Sequence, residues 1–203
     1  MNLRKTILTA MAASLACIPA KRAGAAELAT HLFPHMDGDV YGGKDCNTDE
    51  RLQVGYAGRK SVGWIVFQTG GSDLSLASGA SLTLLAAAVH HQGTLKVFAL
   101  TAPVTRPEDQ VGSPQLAYDA NAPVASIAVG MRDEGRIIRL NLGPLLAKGP
   151  FHGVVIGGTD GLRADFSSKD SDLPPMIELR YAFATLAQVD QAIEAGNQVQ
   201  AAS

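Results

Sequence analysis

The stretch TDGLRADFSSKDSDLPPMIELRY, Thr159–Tyr181, decides how this chain folds. In it Leu162, Ala164 and Phe166 alternate with Arg163, Asp165 and Ser167, and further on Ile177, Leu179 and Tyr181 alternate with Glu178 and Arg180. Alternation with period two marks a strand with one buried and one wet face, whereas a helix repeats its apolar positions every three or four residues. Leu162, Ala164 and Phe166 are therefore predicted to fill a core while Arg163, Asp165 and Ser167 face solvent. Between the two runs lie Lys169, Asp170 and Asp172, then Pro174 and Pro175. Proline cannot donate to a ladder, so the charged residues read as a turn and the last strand opens just after it.

Working outward, the middle of the chain repeats this grammar. SVGWIVFQT, Ser61–Thr69, is rich in β-branched and aromatic residues and ends at Gly70-Gly71. Trp64 and Val66 fall on one face and Ile65 and Phe67 on the other. Both faces are thus apolar, which predicts a central strand covered by the opposite sheet on one side and by loops or a neighbouring segment on the other. SLTLLAAAV (81–89) and TLKVFALTA (94–102) read as two strands joined by a tight turn at His90–Gly93. Leu and Ala favour a helix here, but the run is short and bracketed by Gly79 and Gly93, so strand is preferred. PVASIAV, RIIRLNL and GVVIGG supply further strands, and GPLLAKGP, Gly143–Pro150, a single helical turn. The polar connection from Pro103 to Pro123 is long enough to predict either a functional loop or a crossover between sheets. Leu186, Val189 and Ile193 recur at helical spacing, which predicts a short amphipathic helix or tail over 184–203.

The first residues follow a different logic. Arg4 and Lys5 precede an apolar run interrupted by Pro19, and Ala23-Gly24-Ala25 is a small-residue cleavage pattern, so residues 1–25 read as a secretory signal peptide. The run is too short for a membrane anchor. A lipoprotein signal ending at Cys17 is the alternative, with Ser14 standing where a branched apolar residue is usual. The mature chain, from residue 26, then has no segment long enough to span a membrane. Losing Arg4, Lys5, Lys21 and Arg22 takes the 17 basic residues to 13 against 19 acidic ones, a net charge of −6 that disfavours nucleic acid as a partner. Cys46 alone remains of the cysteines, so no internal disulfide staples the fold. Residues 26–183 are accordingly expected to form one secreted, periplasmic or cell-surface all-β domain, a two-sheet antiparallel β-sandwich of jelly-roll type held by its apolar core.

DVY (39–41), RLQVG (51–55), RKSVGWIVF (59–67), ASLTLL (80–85), IIRLNLGPLLAKG (137–149) and LRADFSSKDSDLPPMIELRY (162–181) follow one another in an order that resembles the DNRLRE-domain family. These are extracellular bacterial and archaeal β-sandwich modules related to disaggregatase domains and to an alginate-binding class of carbohydrate-binding module. The resemblance runs over residues 29–183 and implies a sandwich fold and an extracellular address. Of the letters that name the family only Leu162 and Arg163 match, with Asp160, Gly161 and Ala164 where Asn, Arg and Glu would stand, so no role of those three side chains carries over.

The residues themselves offer several chemistries. Asp37, Asp39 and Asp170 lie near the first and last strands, where neighbouring termini would let carboxylates converge on Ca²⁺, which takes six to eight oxygens; the alternative is solvated turn acids. His31 and His35 are separated by Pro34, and His90 and His91 are adjacent in a turn, so neither pair presents a zinc site. There is no Gly-x-Ser-x-Gly elbow, and spacing alone brings no triad together. Tyr41, His152 and Arg163 are of the types a lyase uses as base and charge neutraliser, which keeps a polysaccharide-degrading enzyme as an alternative. Aromatic residues are only 5% of the chain and Trp64 is assigned to the core, so stacking platforms for a sugar are scarce. An anionic polysaccharide would instead be held by Lys44, Arg163 and Lys169 through charge-assisted hydrogen bonds. The expected function is a non-catalytic carbohydrate-binding or cell-surface module, with a structural surface or matrix protein as the alternative.

Overall fold

The computed structural model of the protein describes residues 26–41, 44–45, 50–55, 61–69, 74–105, 114–146 and 150–183. The expected leader (1–25), the helical tail (184–203), Cys46 and the side chains of Tyr41 and Lys44 lie outside the described residues. What is described is two antiparallel sheets packed face to face, the sandwich that the alternating runs predict.

The first sheet holds β1 (Ala26–Leu32), β4 (Arg51–Val54), β6 (Gly79–His91), β9 (Arg136–Asn141), β11 (Arg163–Ser167) and β12 (Met176–Phe183). The second runs β3 (Lys44–Asp45), β2 (Pro34–Tyr41), β5 (Ser61–Phe67), β10 (Val154–Thr159), β7 (Gly93–Ala99), β8 (Ala125–Val129). Leu82, Leu84, Phe166, Ile177 and Leu179 of one sheet meet Ile65, Leu95, Val97 and Ile156 of the other in the main core. A single helical turn, α1 (Gly143–Leu146), sits where GPLLAKGP predicts one.

The Thr159–Tyr181 stretch has an unusual place. Ser81–Thr83 of β6 pairs with β9 and with β12, and Ala86 pairs with both β9 and β11, so β11 and β12 must share the edge of β6 opposite β9. They lie end to end along it. The charged residues between them are an excursion from one continuous line of strand, tied down by both side-chain and backbone bonds. The Lys169 N–H donates to Asp37 Oδ2 on β2 (2.6 Å), the Ser168 N–H to the Glu50 carbonyl, and the Ser171 hydroxyl to the Ser168 carbonyl. In the gap the Leu85 N–H finds the Ser167 hydroxyl at 3.4 Å.

Most inward positions are as the alternation predicts, and Leu162, Ala164, Phe166, Ile177, Leu179 and Tyr181 are all buried. The expectation that Asp165 and Ser167 face solvent fails: both are buried, while Arg163 is half-buried. The cause is in β6. Its pairing with β11 slips at two places, Arg163/Ala164 and Asp165/Phe166, so β6 carries an extra residue at each, and one of them, His90, stands against the Asp165 carboxylate.

Trp64 is 0% exposed, as expected for a strand apolar on both faces. It forms a second cluster with Phe98, Leu100 and Val155 on the outer side of the second sheet. The long connection from Pro103 to Pro123 supplies the cover: Val104, Leu116 and Tyr118 pack on that cluster, and Leu100 and Tyr118 form a bridge. It joins β7 to β8 within one sheet, so it is not a crossover, and its described residues form a lid over an apolar face. One passage between the sheets is the turn at Gln92, where β6 ends in one sheet and β7 begins in the other. Gly93 is needed there, since a Cβ would lie 2.4 Å from the Leu162 nitrogen. The facing corner is the Asp160-Gly161 turn, both residues at positive φ, closed by the Leu162 N–H on the Thr159 carbonyl.

Candidate functional site: the open face of the first sheet

Among the described residues the lid covers part of the outer side of the second sheet, where Met36, Val40, Val62 and Val66 stay half-buried, whereas the outer side of the first sheet carries exposed and half-buried residues that are mostly polar. Register aligns its outward residues in rows: His31, Glu178, Ser81 and Asn141 across β1, β12, β6 and β9, and next to them Met176, Thr83 and Arg139. Leu85 and Ile137 form a third row, with Ile137 57% exposed. With strands about 4.8 Å apart the face is about 14 Å wide, enough to seat an extended chain.

Charge on this face is arranged in braced groups. Arg180 Nε donates to Glu178 Oε1 at 2.8 Å, and this bond, with the Arg180, Arg139 and His31 charges nearby, holds the Glu178 carboxyl below the usual carboxylate range. At the other end Asp165 is buried on β11 with Oδ2 3.3 Å from His90 Nε2 on β6 and 3.6 Å from an Arg51 guanidinium nitrogen on β4. His90 is one of the two residues that β6 inserts against β11, so the bulge that bends the strand also delivers the imidazole to the carboxylate. Among the described outward residues of these strands, Arg51, Arg139, Arg163 and Arg180 stand against Asp165 and Glu178. Among the described side chains of these strands the outward arginines outnumber the outward carboxylates.

The residues singled out from sequence divide between two places. Arg163 lies on this face beside the Asp165 group. Lys169 and Asp170 lie beyond the other end of β11, paired with each other at 2.6 Å in the excursion, with the Lys169 backbone docked on Asp37. Asp37 and Asp39 are not turn acids: both are on β2 and buried, at 1% and 2% exposure. Asp37 and the Lys169-Asp170 turn do converge, through the backbone of Lys169. Among the described residues no group of three His, Cys, Asp or Glu side chains is close enough to hold a metal ion. Lys44 lies on β3 by its backbone, beside β2. His152 is in the second sheet's end, before β10, and not with Arg163. Sequence reasoning missed that Arg51, Arg139 and Arg180 share one face. Their outward positions are legible in RLQV, RIIRLNL and MIELRYAF, but which strands share a sheet is not.

Comparison with protein-family models and with curated proteins finds no match to this chain. Among the described residues no helix is long and apolar enough to cross a membrane.

Proposed function

We propose that this is an exported, non-catalytic module that binds an anionic polysaccharide on the outer face of its first sheet, in the manner of the DNRLRE-like sandwiches its sequence resembles. The observation that carries the reading is the asymmetry of the two sheets. Evolution of a stable sandwich requires both inner faces to be apolar, but nothing in folding requires one outer face to be lidded and the other left open with four arginines on it. Guanidinium groups bind carboxylates bidentately and tolerate a repeating ligand. Among the described residues Phe33 is the one exposed aromatic, and it lies off the face between β1 and β2, so recognition rests on charge and hydrogen bonds rather than on stacking. Ser81, Thr83 and Asn141 supply the neutral donors and acceptors that sugar hydroxyls need.

A glycan array probed with the mature protein tests this directly. Polyuronates should be retained and neutral glucans and mannans should not, with no unsaturated or reducing ends released. Release of such ends would make the protein an enzyme, and silence across the array would make it a structural surface protein.

A further inference from the structure

We infer that the cleft at the end of the second sheet is a separate site for a single uncharged pyranose. Three segments that are distant in sequence meet there: Leu100 and Thr101 just past β7, the turn at Asp119, and Leu145 of α1 with Phe151 and His152 before β10. They enclose about 370 Å³, within the range of small-ligand sites and enough for one sugar ring. The floor is apolar and belongs to the core, since Leu100 and Leu145 are buried and Phe151 stacks on Phe67 with ring centroids 6.2 Å apart. The rim is polar and pre-set. Asp119 Oδ1 accepts the Asn121 N–H at 2.8 Å, and the Ala122 N–H closes the turn on the Asp119 carbonyl, so the carboxylate is fixed by one oxygen with the other left over for a ligand. Thr101 is held by its hydroxyl on the Ala117 carbonyl. Half-buried His152 makes no hydrogen bond or ion pair with the described residues.

An apolar floor with a carboxylate, an imidazole and a hydroxyl at its rim matches a pyranose, whose ring carbons are apolar and whose hydroxyls need both donors and acceptors. The Asp119 carboxylate repels uronates, so the ligand class differs from that of the open face and the two sites are independent. A ligand of about a dozen heavy atoms with two or three polar contacts should bind with a dissociation constant in the millimolar range.

The test is an amide chemical-shift titration of the mature protein with methyl β-glucopyranoside, methyl β-galactopyranoside and methyl α-mannopyranoside. At least one should give saturable shifts confined to Thr101, Asp119–Ala122 and Phe151–His152. Asp119→Asn keeps the turn's acceptor, and His152→Ala leaves the floor intact; each should raise the dissociation constant about tenfold without moving the melting temperature or polyuronate binding. No saturable shift with any of the three, shifts centred on Thr83 and Arg139, or undiminished affinity in both variants would overturn the assignment. Loss of polyuronate binding with the pyranoside titration intact would defeat the reading of the open face and leave this one standing.

Discussion

Phe166 and Asp165 are neighbours in sequence and point to opposite sides of β11, yet both are buried, for different reasons. Phe166→Ala removes an aromatic from the main core and should cost about 3–5 kcal/mol. Asp165→Ala should cost about 1–3 kcal/mol through lost hydrogen bonds, because Arg51 and His90, each about half exposed, regain water when the carboxylate goes. Chemical denaturation of both variants checks this, and an Asp165 variant indistinguishable from wild type would return that position to the wet face. The inward residue was legible in the alternation. The outward one was not, since its burial depends on two extra residues in β6, fifty or more positions away. Arg180→Ala should let the Glu178 carboxyl titrate nearer its ordinary value in a carboxyl-carbon NMR titration. Because the folded carboxyl sits below its unfolded value, whatever stability the pair adds is full above the unfolded value. It is lost as pH falls through the lowered one.

Elements were read correctly in type more often than in partnership. Brackets of glycine and shortness marked LTLLAAAVHH as strand against its helical composition, and β6 is indeed the longest strand described. Its turn into β7 was legible, but not that the turn passes between sheets: a corner and a hairpin use similar residues, and the difference lies in the contact of Gly93 with the Leu162 backbone. The Lys169–Pro175 excursion shows the same limit. Its charges and prolines announce a turn, while its anchor, Asp37 on β2, comes from the other sheet. Asp37→Ala should cost about 1.5–3 kcal/mol, the worth of a buried hydrogen bond to a charged group. It should also speed hydrogen exchange at the Lys169 amide well beyond the global change. Unaltered exchange there would mean that the excursion holds itself.

Among the described residues of the whole molecule, Val104, Leu116 and Tyr118 pack over the Trp64 cluster on one outer face, and the other outer face presents Arg51, Arg139 and Arg180. Trp64→Ala tests the lidded side, and should cost about 3–5 kcal/mol and compromise folding rather than merely weaken ligand binding. Composition and alternation were enough for the sandwich, because each strand declares its apolar side locally. The site was not legible, because Arg51, Arg139 and Arg180 belong to three strands whose adjacency is set only by the sheet order. Export is tested by mass spectrometry of the secreted protein, which should begin near Ala26, where β1 starts; an intact Met1 or a lipidated Cys17 would contradict it. Recognition by the arginines of the first sheet is tested by the salt dependence of polyuronate binding in calorimetry, comparing wild type with the Arg139→Ala, Arg180→Ala double variant. The affinity of wild type should fall steeply as salt screens the guanidinium–carboxylate contacts, and the double variant, folded and equally stable, should bind at least about tenfold more weakly with a shallower salt slope. Equal affinity and equal slope in the two proteins would contradict the account and take the open face out of recognition.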